Sequence, residues 1–152
     1  MKTIRLSLTI TAFITLFFMS VSYAQMGPMW HGSHGWGMGG RYCGMFNNNT
    51  IETISGEVIS VDRFIPMMGM SEGVRITVKT VKETIPVHLG PEWYIQNQDF
   101  KVNKGDVVTV TGSRIIFDGK PAIIAMEVKK GNLMLKLWNE RGNPHWSGCC
   151  GW

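Results

Sequence analysis

The chain predicts a mainly β fold: a small five-stranded OB-like barrel with one short helix and an appended C-terminal β-hairpin. Three observations lead there. Apolar residues recur with a period of two at 74–79 and 85–89, the pattern of half-buried strands, and Ala122, Ile124, Met126 and Val128 alternate with Ile123, Ala125, Glu127 and Lys129. The first strand is long and interrupted by Gly56, which marks a bend or bulge. A proline-opened helix falls between the third and fourth strands. The order β-β-β-helix-β-β is that of a five-stranded OB barrel, whereas a β-sandwich would want about seven strands.

In order along the chain, Ile51 to Ile65 is the bent first strand, and Pro66-Met67-Met68-Gly69-Met70 a loop. In the second strand Val74, Ile76 and Val78 face inward and Arg75, Thr77 and Lys79 outward. After a turn at Thr80 to Lys82, Ile85, Val87 and Leu89 face inward and Pro86 and His88 outward. Pro86 cannot donate to a ladder and marks an edge, and His88 reads as a surface histidine near Arg75 or Lys79. Pro91 and Glu92 suit the first turn of the helix, from which Trp93 is expected to cover one end of the barrel. Val107–Thr111 and Arg114–Phe117 form a strand broken by Gly112. Asp118-Gly119 is the strongest short hairpin signal in the chain. Leu133, Leu135 and Leu137 then alternate with polar and larger residues, Asn139 to Pro144 turns, and His145-Trp146 returns as the far arm of the appended hairpin.

Four segments result. Residues 1–24 carry Lys2 and Arg5, an apolar run and Ser22-Tyr23-Ala24, the layout of a secretory signal peptide cut before Gln25. The run is short for a span and no stop-transfer cluster follows, so no stable membrane span is expected after cleavage. Residues 25–50 are rich in Gly, Met and His, have no period, and read as a disordered linker unless a ligand or partner orders them. Residues 51–147 are the barrel with its hairpin, and 148–152 a flexible Cys-containing tail. The expected location is the periplasm or the exterior.

The chain has 152 residues, 44% hydrophobic and 17% charged, a composition that excludes a polyelectrolyte tail, a collagen or a coiled coil. Without Lys2 and Arg5 the net charge falls from +4 to +2, too weak to imply nucleic acid. No Gly-x-Ser-x-Gly, His-Glu-x-x-His or phosphate-binding glycine loop is present and no carboxylates pair in sequence, so no enzyme is expected. Metal ligation is the sharper expectation. Met26, Met29, His31, His34, Met38, Cys43 and Met45 are soft or borderline donors within twenty residues, and such sulfur and imidazole ligands suit copper. Met67, Met68 and Met70 add a second cluster. Cys149 and Cys150 complete the candidate metal ligands; with Cys43 they make an odd thiol count, open to a vicinal disulfide, a bridge to Cys43, or metal. Trp30, Trp36, Trp138 and Trp146 fall outside the core pattern and read as exposed anchors for an envelope protein partner.

Three blocks resemble a known family: Ile85-Pro86-Val87-His88-Leu89-Gly90-Pro91-Glu92-Trp93-Tyr94, then Gly112-Ser113-Arg114-Ile115-Ile116-Phe117-Asp118-Gly119-Lys120-Pro121-Ala122, then Leu135-Lys136-Leu137-Trp138-Asn139-Glu140-Arg141-Gly142-Asn143-Pro144-His145-Trp146. Over roughly residues 51–147 the chain resembles the domain shared by the magnetosome proteins MamS and MamX. The resemblance implies an exported β domain linked to metal or redox homeostasis. The Cys-x-x-Cys-His haem motif of some members is missing here, so haem is not carried over. The expected function is that of a non-enzymatic binding or accessory protein of the bacterial cell envelope, in copper or iron handling or redox homeostasis. A metal-free protein-interaction module is the alternative, and an OB-type nucleic-acid-binding protein a third reading.

Overall fold

The computed structural model describes residues 35–37 and 39–147. Six strands and one short helix follow two single-turn 3-10 helices, Cys43–Met45 and Asn48–Thr50: β1 (Ile51–Phe64), β2 (Gly73–Lys79), β3 (Thr84–Pro91), α1 (Glu92–Ile95), β4 (Val107–Phe117), β5 (Lys120–Lys130) and β6 (Leu133–Lys136). Antiparallel ladders run β3-β2-β1-β4-β5-β6, and a parallel pairing of β3 with β5, Val87 opposite Ile123 and His88 opposite Ile124, closes the first five into a ring. The mainly β architecture, the ring of five, the short helix and the C-terminal extension all follow the sequence expectation.

β1 is long because it serves two neighbours. Its first half, Ile51 to Glu57, pairs with β4, and its second half, Glu57 to Phe64, with β2. Just inside the second half the β1–β2 register slips between Val58 and Ser60, the bend that a two-sided strand in a closed sheet requires. The β4–β5 hairpin turns at Asp118 and Gly119, both with positive φ (50° and 75°), the type I′ signature that Asp-Gly announces. β6 pairs antiparallel with the second half of β5, and the chain beyond it folds back through a Trp138–Pro144 bridge.

The ring is filled by Val58, Ile76, Val78, Ile85, Val87, Leu89, Val108, Val110 and Val128, all buried. These β-branched and leucine side chains occupy the inward positions of their strands, where each contributes about 1.5–3 kcal/mol of transfer free energy. β5 differs from the alternation: Ala122, Ile123, Ile124 and Ala125 are all buried. Both faces of that strand are covered, because the ring has a second apolar layer outside it.

That layer overturns three expectations. Trp36, Tyr42 and Cys43, from the segment read as a disordered linker, are 0%, 1% and 7% exposed. Trp138 and Trp146, read as exposed, are 2% and 5% exposed, so of the four tryptophans offered as anchors three are core residues, while Trp30 lies outside the described residues. Trp93 does not cover the ring end: it is among the exposed apolar residues, and its neighbours Tyr94 and Ile95 pack on the core instead. A one-turn helix gives no periodicity from which the inward side chain could be chosen. Residues 1–34 and 148–152, with the expected signal peptide and tail, lie outside the described residues, among which no helix is long and apolar enough to cross a membrane.

Candidate functional site

The second layer is assembled on one outer face of the ring. Phe64 ends β1, His88 points outward from β3, and Phe117 ends β4; the His88 ring lies 4.4 Å from Phe64 and 4.8 Å from Phe117. Beside them the backbone is bare. A side chain on Gly73 would lie 2.6 Å from the Trp36 ring, and one on Gly90, whose φ is +141°, 2.7 Å from the Trp146 ring. Only glycine serves at Gly90 on both counts, conformation and close approach.

Two segments far apart in sequence settle on this face. From the N-terminal side, the Trp36 indole N–H donates to the Ser71 carbonyl (3.1 Å), and the Tyr42 ring stacks on His88 with its hydroxyl 2.8 Å from Nδ1. From the C-terminal side, the Trp146 indole N–H donates to the Trp36 carbonyl (3.1 Å), while Trp138 stacks flat on Phe46 with centroids 4.3 Å apart. Edge-to-face contacts join Trp36 to Tyr42, Phe64 and Trp146, each such pair adding about 0.5–1.5 kcal/mol beyond burial.

His88 is therefore not the surface histidine the alternation suggests. It does point out of the ring, but outward here means under the second layer, and it is 1% exposed. Burial first, and the Arg75 charge second, depress its pKa to about 3, so the ring is neutral. Arg75 itself sits over the Phe64 ring at 5.4 Å. Tyr42 is held neutral as well, its pKa raised by burial and then by Cys43. Nε2 of His88 is buried with no hydrogen-bond partner. A donating Tyr42 hydroxyl leaves one orphan, Nε2–H; the reverse tautomer leaves two, the phenolic hydrogen and the Nε2 lone pair. The first arrangement is the less costly.

Of the sequence-predicted metal ligands, Met26, Met29, His31, His34, Met38, Cys149 and Cys150 lie outside the described residues. Cys43 is a free, buried thiol that donates to the Trp36 carbonyl at 3.3 Å, and burial pushes its pKa up to about 11. A thiol so placed resists the deprotonation that ligation needs. Met45 is half-buried against the core. In the methionine loop, Met67 and Met70 pack on the core and Met68 is fully exposed; Met70 lies directly against Gly35. Among the described residues no three His, Cys, Asp or Glu side chains gather as a metal cluster.

Two further features carry no sequence signal. Arg114 on β4 is hydrogen-bonded to Glu52 (2.6 Å) and to Glu83, partners 62 and 31 residues away, beside a recess of about 330 Å³. A groove of about 560 Å³ runs along β6 between Leu133–Lys136 and the segment Tyr94–Phe100. The buried Tyr42–His88 pair was equally hidden. The one available signal was the number of tryptophans, six in 152 residues, more than a ring lined by valine and isoleucine can hold.

A β-ring closed by hydrogen bonds, with a filled interior and an outer face sealed by flanking segments of its own chain, defines a small mainly β domain. Residues 50–135 match the MamS/MamX magnetosome protein family, and since this is more than half of the chain, the protein belongs to that family. Membership makes it a small accessory protein. No curated protein matches the chain. The matched region contains Phe64, His88 and Phe117 but neither of the segments that cover them.

Proposed function

We propose that this protein is an exported, non-enzymatic accessory protein of the cell envelope that handles a soft metal ion, copper by ligand preference, through donors at both ends of its folded unit. The observation that carries the reading is the Trp146–Trp36 hydrogen bond. It joins two buried residues that stand close in sequence to the donors on either side. His34 and His31 precede Trp36 by two and five residues, with Met29 and Met26 beyond; Cys149 and Cys150 follow Trp146 by three and four. The seating of Met70 against Gly35 supports the same reading, since it sets the methionine loop beside the first segment. Thioether sulfur binds Cu(I) without deprotonation, which suits a cluster dominated by methionine. The buried Cys43 serves better as an anchor of the segment than as a ligand.

The test is a titration of the reduced full chain with Cu(I) against a competing chelator. Three variants accompany it: Met26, Met29, His31, His34 and Met38 changed together to Ser; Met67, Met68 and Met70 changed to Leu; and Cys149 and Cys150 changed to Ser. Stoichiometric binding lost in the first variant and weakened in either of the others supports the reading. Equal, weak binding by all four proteins removes it. Its strongest competitor is then a metal-free interaction module, favoured by Leu133 and Met134, 50% and 47% exposed on the open edge of β6. A nucleic-acid role is disfavoured, because the β2–β3 face that OB folds offer to single strands carries Trp36, Tyr42 and Trp146 here.

A further inference from the structure

The aromatic residues of the second layer form one column from surface to interior. Trp93, 37% exposed, lies 6.2 Å from Tyr94; Tyr94 lies 5.7 Å from Trp146, Trp146 6.0 Å from Trp36, and Trp36 5.0 Å from Tyr42, all between ring centroids. At the inner end the Tyr42 hydroxyl meets His88 Nδ1 at 2.8 Å. Packing accounts for the rings but not for this last step. A histidine with a single polar partner and a second nitrogen left without one is a costlier filler than Leu or Phe. What the pair does supply is chemistry. A buried tyrosine gives up an electron readily only when its proton leaves at the same time, and a neutral imidazole within hydrogen-bond distance is the acceptor for that proton.

We infer that this column carries single-electron oxidation from the surface at Trp93 to Tyr42, where it ends as a neutral tyrosyl radical with the phenolic proton held on His88. The oxidant is a one-electron acceptor at the surface, such as a peroxide-derived radical or a photogenerated metal complex. It takes one electron from the Trp93 indole and is reduced by one electron. The vacancy is refilled from Trp146 across the intervening Tyr94 ring, then from Trp36, and finally from Tyr42. The Tyr42 O–H bond breaks and the proton passes to Nδ1, making His88 imidazolium among the Phe64, Phe117 and Tyr42 rings. Burial and the nearby Arg75 charge oppose that cation, and the strong acidity a phenol gains on losing an electron drives the transfer against them. A one-electron reductant at the surface, such as ascorbate, returns an electron along the column and is itself oxidised by one electron, and the proton goes back from His88 to the Tyr42 oxygen. The proposal is independent of the metal reading: it uses neither the candidate donors nor a bound ion.

The test photolyses the full chain, its accessible thiols alkylated, with a ruthenium polypyridyl complex and a sacrificial electron acceptor. The radical is identified by freeze-quench electron paramagnetic resonance and timed by transient absorption. The expected product is a tyrosyl radical whose formation slows in deuterated water. Tyr42→Phe should abolish that signal and leave a tryptophan radical, whereas Tyr94→Phe should leave the tyrosyl signal in place. His88→Phe should slow tyrosyl formation by about 100-fold or more, the lower end of what a positioned proton acceptor contributes. His88→Gln keeps an acceptor for the hydroxyl without a base, so it should fold yet stay slow; it decides the matter if His88→Phe does not fold. A tyrosyl signal that survives Tyr42→Phe, a wild-type product that is tryptophan alone, or a rate indifferent to both His88 variants overturns the proposal.

Discussion

The inside of the ring and the layer outside it are both buried, yet they are built from different material. Inside, valine and isoleucine sit at alternate positions of neighbouring strands, and their contacts are local to the ladders. Outside, tryptophan, tyrosine, phenylalanine and one histidine meet from segments 46 to 110 residues apart. The inner layer needs only binary patterning, which a single strand can display. The outer layer needs large rings with polar handles, because a few anchors must hold segments that have no ladder of their own. The difference teaches that the family-matched ring is one part of the folding unit and its flanking segments the other.

The largest expected effect comes from removing one side of the comparison. A chain beginning at Asn47 loses Trp36, Tyr42 and Cys43. Losing one large aromatic alone costs about 3–5 kcal/mol, against a total stability of about 5–15 kcal/mol for a domain. Urea titration should show no cooperative transition, and a transition matching the full chain would mean that the ring stands without its cover. Next in size, Trp146→Ala should cost about 3–5 kcal/mol, while Ile76→Val in the inner layer costs about 0.5–1.5 kcal/mol. Equal urea midpoints for the two would erase the distinction.

Gly90→Ala sharpens the comparison at the seam between layers. The added methyl meets the Trp146 ring at 2.7 Å on a backbone with φ of +141°, and overpacking of this kind costs about 1–3 kcal/mol. It should lower the thermal midpoint and raise the solvent accessibility of Trp146 in quenching experiments.

A smaller effect follows from pH. The pKa of His88 is lower in the folded protein, about 3, than its ordinary value near 6.5. The unfolded chain therefore binds the extra proton over that interval, and the stability present above pH 6.5 is lost as pH falls toward 3. Between pH 7 and 5.5 the loss is about 1 kcal/mol, and a His88→Phe variant should show a flatter profile over that range. Smallest of all is Glu83→Gln. Arg114 lowers the pKa of Glu83, but both side chains are about one-third exposed, and such pairs contribute about 0–1 kcal/mol. A large loss there would mean that the ion pair, and not either apolar layer, closes that end of the ring.

The same contrast explains what could be read in advance. Ile76 and Val78, or Ile85, Val87 and Leu89, announce their burial by alternation. Asp118-Gly119 announces its turn by needing positive φ twice in succession. Trp36 and Tyr42 sit among glycines without periodicity, and their burial is decided by Gly73, His88 and Trp146, which no local window contains. His88 was placed on the correct side of β3 and in the wrong environment, since strand parity gives direction but not what lies there. Of the expected ligands, Cys43 and Met45 proved to be packed residues, for the same reason: a donor's chemistry is written in its residue type, its accessibility only in its neighbours.

The bond from Trp146 to Trp36 has a kinetic consequence. It joins residues separated by 110 positions, so the step that fastens the first segment waits for the last. Loop closure on that scale comes late, after the ladders of the ring have already shortened the path. Because the ring is not expected to hold without its cover, ring formation and this last closure should appear as one cooperative phase in which tryptophan emission and strand content change together.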